Sequence, residues 1–256
     1  MTNELLLAAS VVIIFGAALL AYRLFGKAGL LVVSACASIL ANIEATMLVD
    51  AFGMEQTLGN VLFAVTFLVT DILSECETKQ DAQLAVWLGV FTSSFFLVLN
   101  QSWLFYIPSP NDISMPAVSA LFGSTPRLLL SSLTVYAISQ AFDVWLYHKW
   151  WNLTERLSGN KRSHLWLRNT GSTLISQIIN TLLFTTLAFW GTYEIPTLIS
   201  VFLSSYVIFI FTSILDTPAA YLARRMKEAG KVGALVRRYE QDMKKLEAPP
   251  ACISAD

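Results

Sequence analysis

The chain has 256 residues, of which 55% are hydrophobic and only 14% charged, and its formal net charge is −1. This composition indicates an integral membrane protein whose apolar segments and turns take up nearly the whole length, which excludes a separate soluble domain. The charge balance gives no sign of a nucleic-acid partner. The lipid bilayer is therefore the expected surrounding of the chain.

Seven apolar stretches follow one another, each long enough for the ~20 residues that cross a bilayer as a helix. They cover residues 5–25, 29–49, 58–75, 84–107, 127–147, 165–190 and 196–222. The first stretch has no preceding Lys or Arg and is too long for a signal-peptide core, so we interpret it as a retained span. The sequence predicts an all-α, polytopic membrane bundle of about seven transmembrane helices.

Lysine and arginine residues predict the orientation. When the seven stretches are threaded back and forth, sixteen of the seventeen Lys and Arg residues fall on one side and only Arg127 falls on the other. By the positive-inside rule the amino terminus lies outside and the carboxyl terminus in the cytoplasm, across the plasma (inner) membrane. Residues 1–223 then form the membrane domain. Residues 224–256 form a basic cytoplasmic tail along the inner leaflet, helical at first and disordered over 248–256.

The sequence lacks the motifs of several enzyme classes. It has no GxxxxGK[ST] loop, no HExxH and no GxSxG, which removes P-loop ATP hydrolysis and the usual protease and lipase chemistry. Cys36, Cys76 and Cys252 are scattered without CxxC spacing and indicate neither a disulfide framework nor a zinc site. We therefore expect no catalytic residues, no metal and no cofactor, and we predict that the chain is not an enzyme.

Polar side chains inside the apolar stretches are the remaining candidates for function, because such groups are expensive to place in hydrocarbon. In the sixth stretch, Asn169, Thr173, Ser176 and Asn180 are spaced four, three and four residues apart, with Gln177 beside them. This spacing puts them on one helical face, which must contact protein or water. The complete set of candidate substrate-binding residues is Asn42, Asp71, Glu75, Arg127, Gln140, Asp143, Arg168, Ser172, Gln177 and Asn180.

Asp71 and Glu75 are four residues apart in the third stretch and therefore share one helical face. Two such carboxylates can bind a cation, hold a proton or accept hydrogen bonds from paired N–H groups of a ligand. The simpler alternative is that they are interfacial or form a structural pair with Arg168. Arg127 has a comparable alternative as an interfacial anchor at the outer end of its span.

Four segments resemble, in the right order, the queuosine precursor transporter family, also called the vitamin uptake transporter family. They are ANIEATMLVDAFGMEQTLGNVLFAVTFLVTDILSE from Ala41, FGSTPRLLLSSLTVYAISQAFDVWLYHKWW from Phe122, HLWLRNTGSTLISQIINTLLFTTLAFWG from His164 and LDTPAAYLARR from Leu215. The first stretch and the tail match only in hydropathy. The resemblance implies a six-helix transporter core with an extra N-terminal span.

The chain departs from the family pattern at several positions. The family usually has Lys where this chain has Met47, a Tyr-Gly pair where it has Glu77 and Thr78, Asp where it has Asn180, and Lys near Phe209. These changes are consistent with the neutralisation of a structural ion pair, with an altered substrate preference or with reduced transport.

The resemblance implies import of a queuosine precursor for tRNA modification, a 7-deazaguanine such as preQ0, preQ1 or queuine. A carboxylate can accept the N1–H and 2-amino donors of such a base, Arg, Asn or Gln can serve O6, and aromatic side chains can cover the faces. We expect alternating access around a site between the third, fifth and sixth spans. The sequence leaves open whether transport is coupled to a proton or occurs by facilitated diffusion. It also leaves open whether the chain forms a homo-oligomer. The alternatives are a substrate-binding subunit energised by a separate ATPase, a membrane-embedded enzyme, and a structural or signalling bundle.

Overall fold

A computed structural model describes residues 3–123, 126–159 and 164–247 of the chain. The elements of this part are α1 (Asn3–Phe25), α2 (Lys27–Glu44), β1 (Leu48–Ala51), β2 (Met54–Thr57), α3 (Gly59–Cys76), α4 (Lys79–Trp103), α5 (Met115–Phe122), α6 (Pro126–Ser158), α7 (Leu165–Phe189), α8 (Ile195–Glu228) and α9 (Ala234–Glu247). Two parts of the sequence prediction, the basic residues Lys161 and Arg162 and the disordered segment 248–256, lie outside the described residues.

Each of the seven predicted stretches overlaps one long helix, so the prediction of a polytopic helical bundle is confirmed. Within the described residues, six helices are long and apolar enough to cross a membrane, namely α1, α2, α3, α4, α7 and α8. The seventh, α6, has 33 residues and is therefore about 50 Å long. It is less apolar than the others because it carries buried Ser, Gln and Asp side chains, and it packs against α3, α4 and α7.

Helix α3 lies at the centre of the bundle. It packs against α1, α2, α4, α6 and α8, and almost every side chain from Val61 to Ser74 is buried. A helix that is covered all round is free to carry polar groups that would be costly against lipid. At its start, a Cβ on Gly59 would lie 2.7 Å from the carbonyl oxygen of Ala41, so glycine allows the α2 and α3 backbones to approach closely.

A β-hairpin connects α2 to α3, where the sequence had predicted a continued helix. Helix α2 ends at Glu44, and β1 pairs antiparallel with β2 around a turn in which Phe52 and Gly53 have positive φ angles of 55° and 70°. The apolar residues of β1 extended the hydropathy signal beyond the true end of the helix. Asn3 Nδ2 donates a hydrogen bond of 2.8 Å to the carbonyl of Asp50, which ties α1 to the hairpin. We call this side of the bundle the hairpin end.

The opposite side, which we call the tail end, carries the end of α8 and all of α9. Helix α8 runs without interruption to Glu228, so it passes the predicted domain boundary at residue 223. Gly230 and Gly233 have φ angles of 65° and 69° and separate α8 from α9. The backbone N–H of Gly233 donates to the carbonyl of Tyr22 at 3.3 Å, and α9 packs against α1.

Candidate functional site

A small cavity of about 50 Å³ lies between α2, α3, α6, α7 and α8 at the hairpin end. This volume is below the range of about 300–1,000 Å³ that is usual for small-molecule sites, so a bound ligand requires the surrounding helices to move apart. The polar side chains of its lining are Thr57, Asn60, Ser132, Asn180, Thr181 and Ser205. Asn180, a residue predicted from the sequence, therefore lines this cavity and not the deeper part of the bundle.

An aromatic floor, defined as Phe63, Phe67, Tyr136 and Phe209, closes the cavity toward the middle of the bundle. The ring centroid of Phe63 lies 5.3 Å from that of Phe67, 5.8 Å from that of Tyr136 and 6.2 Å from that of Phe209. Phe63 and Phe209 also line the cavity. The floor thus comes from α3, α6 and α8, and its members Phe63 and Phe209 present aromatic rings to the cavity.

Beyond the floor lies a polar centre, which we define as Asp71, Gln140, Asp143, Gln177 and Asp216. Asp71 follows Phe63 by eight residues of α3, or about 12 Å along the helix. Gln140 is already paired with α3, because its Nε2 donates to Thr66 Oγ1 at 2.5 Å and its Oε1 accepts from Thr70 Oγ1 at 3.3 Å. Gln140 therefore holds α6 against α3, and we assign it a supporting role in the centre.

Three carboxyl groups of the polar centre come from three different helices. Asp71, Asp143 and Asp216 are each at least 99% buried, and they lie close enough to influence one another electrostatically. Asp71 Oδ2 accepts a hydrogen bond of 3.1 Å from Thr173 Oγ1. Ser172, Ser176 and Asp71 all lie next to Asp143. Even so, neither oxygen of Asp143 has a hydrogen bond of normal geometry within the described residues, and the same holds for one oxygen each of Asp71 and Asp216.

Asp216 was missing from the set of residues predicted from the sequence. It is an acidic residue inside the last apolar stretch, two positions before Pro218, in a segment that itself resembles the family. The rule that an ionisable group within a span is a functional candidate would have found it. The site therefore involves four helices, α3, α6, α7 and α8, where the sequence had indicated the first three.

A cluster of charged side chains at the tail end lies beyond the polar centre. In this tail-end cluster, defined as Glu75, Tyr147, Arg168 and Arg224, Arg168 donates to Glu75 Oε2 from Nε at 2.9 Å and from Nη2 at 2.6 Å. The Tyr147 hydroxyl donates to the same carboxylate at 2.8 Å, and Arg224 approaches it at 3.3 Å. The Arg168 guanidinium also stacks on Trp151, with 4.2 Å from Cζ to the ring centroid.

The two acidic residues predicted as a pair thus have different surroundings. Glu75 binds Arg168, which is the structural pairing considered for it from the sequence, whereas Asp71 contacts Thr173 and the other aspartates. A carboxylate that already accepts hydrogen bonds from three side chains has little capacity left for a ligand. Asp71 is therefore the better candidate for ligand binding.

Three further residues predicted from the sequence, Gln177, Ser172 and Asn42, are buried and differ in their hydrogen bonds. Gln177 is 1% exposed, and its Oε1 has no hydrogen-bond partner within the described part of the chain. Ser172 is buried and donates to the carbonyl of Asn169 on its own helix. Asn42 lies between α2, α4 and α6, where it donates to the carbonyl of Ser38 at 2.7 Å and accepts from Ser132 at 2.9 Å.

Arg127 lies away from the polar centre. Its guanidinium donates 2.8 Å hydrogen bonds to the carbonyl oxygens of Leu187 and Trp190, which are unpaired acceptors at the end of α7. A cation at a helix C-terminus also interacts favourably with the helix dipole. The structure therefore supports the anchoring role and places Arg127 at the edge of the bundle.

Comparison with known proteins identifies the family of the chain. The profile of a family described as "Putative vitamin uptake transporter" matches residues 57–223. The chain belongs to this family. It is also 38% identical, over 208 residues, to a protein of Bacillus subtilis (strain 168) named "Probable queuosine precursor transporter", which covers 81% of this chain and 89% of the relative. No solved structure gives a significant match.

Membership of the vitamin uptake transporter family makes the chain a multi-pass membrane transporter, and the prediction that it is not an enzyme is confirmed. The matched region begins at the end of the hairpin and includes α3, α4, α6, α7 and most of α8. It therefore contains the aromatic floor, the polar centre and the tail-end cluster apart from Arg224, whereas α1, α2 and α9 lie outside it.

Proposed function

We propose that this chain imports a queuosine precursor of the 7-deazaguanine class by alternating access. The observation that carries the proposal is the polar centre beyond an aromatic floor, on the inner side of a small cavity with a partly polar lining. A planar base with several N–H donors can stack on the aromatic rings and donate hydrogen bonds to the polar centre. The name of the Bacillus subtilis relative supports the same substrate class.

The chemistry of the base matches the groups that face it. Its two faces can stack on the aromatic floor. Its N1–H and 2-amino groups form a pair of parallel donors, and a carboxylate with two unpaired oxygens, such as Asp143, can accept both. Gln177 carries an amide at the same depth, on the neighbouring helix α7, and can serve O6 through its N–H₂ group.

The cation distribution supports an orientation with the tail end inside and the hairpin end outside. In this orientation the cavity faces outward and the tail-end cluster closes the inward path. Release into the cytoplasm then requires Glu75 and Arg168 to separate, or the helices that carry them to move apart as a unit. A reporter fused behind α9 will test the orientation, because an external signal from it would reverse the direction of transport.

Ligand-dependent stabilisation of the purified protein tests the proposal most directly, because a ligand that binds only the folded state raises its stability. We expect 7-deazaguanines to raise the melting temperature and vitamins of unrelated shape to leave it unchanged. Absence of any shift or uptake with the whole 7-deazaguanine series would contradict the proposed function.

Cysteine protection locates the site. In a background without native cysteines, Ser205→Cys in the cavity should react with a polar thiol reagent added outside, and a 7-deazaguanine should slow that reaction. Ser94→Cys, in the middle of α4 and outside the cavity lining, is the matched control. Equal reactivity with and without ligand at position 205 would remove the cavity from the transport path.

A further inference from the structure

We infer that the polar centre selects a positively charged 7-deazaguanine, one that carries an aminomethyl group at C7, over neutral members of the class such as the 7-cyano compound. This inference rests on the proposed function and adds the charge of the substrate to it. It depends on two features of the centre: its surplus of hydrogen-bond acceptors and its uncompensated carboxylates.

The described residues of the centre contain more buried hydrogen-bond acceptors than donors. Five buried oxygen atoms of the centre, from α3, α6, α7 and α8, have no hydrogen bond of normal geometry in the described part of the chain: Asp71 Oδ1, both carboxylate oxygens of Asp143, Gln177 Oε1 and Asp216 Oδ1. The unpartnered hydroxyls of Ser176 and Ser213 can supply one donor each, which leaves most of these lone pairs unused. A ligand that completes this centre must bring several donors.

The charge of the centre is also uncompensated. Three of its residues are aspartates, and the sequence has no Lys, Arg or His between residues 28 and 78, between 128 and 147, or between 169 and 223. These three stretches without Lys, Arg or His contain all of α3, the middle of α6, nearly all of α7, and α8 up to residue 223. Arg168 borders the last of these stretches, and it binds Glu75. Buried carboxylates require a cation or a proton, because unpaired charge is costly away from water.

The spacing of the aspartates suits an organic cation. They lie on three helices, and no group of three metal-ligating residues within the described ranges converges closely enough to hold a metal ion. An alkylammonium group, charged at neutral pH as a lysine side chain is, offers three donors together with the positive charge. With Asp143 accepting the paired donors of the base, the unpaired oxygens of Asp71 and Asp216 remain for the ammonium group.

The two kinds of ligand differ at one substituent. A nitrile at C7 is only an acceptor, so in this centre it would face other acceptors without a hydrogen bond. An aminomethyl group in the same place supplies donors and compensates one carboxylate. A hydrogen bond to a charged group changes affinity by about tenfold or more, so the charged compound should bind at least tenfold more tightly than the cyano compound.

A series of three ligands tests the inference on the unmodified protein. Dissociation constants are measured for the 7-aminomethyl compound, its N-acetylated form, which is neutral but keeps the amide donor, and the 7-cyano compound. We expect the first to bind about tenfold or more tightly than either neutral compound. Equal affinities for all three would overturn the inference while leaving the proposed function intact, and that result would favour protons as the compensating charges. Absence of binding by all three would instead overturn the proposed function.

Single substitutions locate the preference. Asp216→Asn and Asp71→Asn should each reduce the preference for the charged ligand, whereas Asp50→Asn, the same change on the exposed hairpin, should preserve it. Retention of the full preference in both centre variants would overturn the assignment of these carboxylates to the ammonium group.

Discussion

Replacing Glu75 with Gln should destabilise the protein strongly, because it leaves the guanidinium of Arg168 buried without its carboxylate. The side chains of Glu75 and Arg168 are 3% and 0% exposed, and they are joined by hydrogen bonds of 2.6–2.9 Å. Breaking a buried ion pair by removing one partner costs about 3–5 kcal/mol. Arg224, which is 16% exposed, admits some water to this cluster, so the lower value of about 3 kcal/mol is the more appropriate.

The assay is thermal unfolding of the purified protein in detergent. At about 2–4 °C per kcal/mol for a chain of this size, the expected decrease in melting temperature is about 6–12 °C. Glu228→Gln is a matched control, because Glu228 also pairs with Arg224 but is 45% exposed, and such pairs contribute little. Adding Arg168→Met to Glu75→Gln removes the stranded cation and should recover part of the loss.

A melting temperature within 2 °C or so of the parent for Glu75→Gln, well below the expected shift, would refute this reasoning. If the same variant also lost ligand binding, Glu75 would have to be a substrate ligand, and the tail-end cluster could not be assigned to closing the inward path.

Three further substitutions separate binding residues from structural ones. Gln177→Leu removes an amide whose oxygen is unpaired and should weaken 7-deazaguanine binding about tenfold, which corresponds to 1–3 kcal/mol; unchanged affinity would leave this residue a purely structural role. Arg127→Gln removes a helix cap, so it should lower the melting temperature modestly and leave affinity unchanged, and a large loss of affinity would restore it to the site. Gly89→Ala places a methyl group against the Tyr136 side chain and should weaken ligand binding by displacing the aromatic floor, whereas Gly171→Ala, where the nearest atom is 3.8 Å away, should have no such effect.

The number and positions of the spans could be predicted from the sequence, because each follows from a run of apolar residues whose length matches the bilayer. The polar stripe of α7 was predicted from helical periodicity, which puts four residues on one face. The structure buries that face, which carries Asn169, Thr173, Ser176 and Asn180. The family could be recognised from local motifs. Local hydropathy failed at the end of α2, where Met47, Leu48 and Val49 continue the apolar run into the first strand of the hairpin.

The partners of each charged group depended on tertiary structure. Asp71 and Glu75 lie four residues apart on one helix, yet one contacts other aspartates and the other binds Arg168, a residue 93 positions away. Helical periodicity fixes which side chains share a face, and it carries no information about which helices pack against that face. The sequence by itself therefore determined a multi-pass transporter with buried polar faces. Only the packing of α3, α6, α7 and α8 decided that Glu75 stabilises the tail end and that Asp216 joins Asp71 and Asp143 in the polar centre.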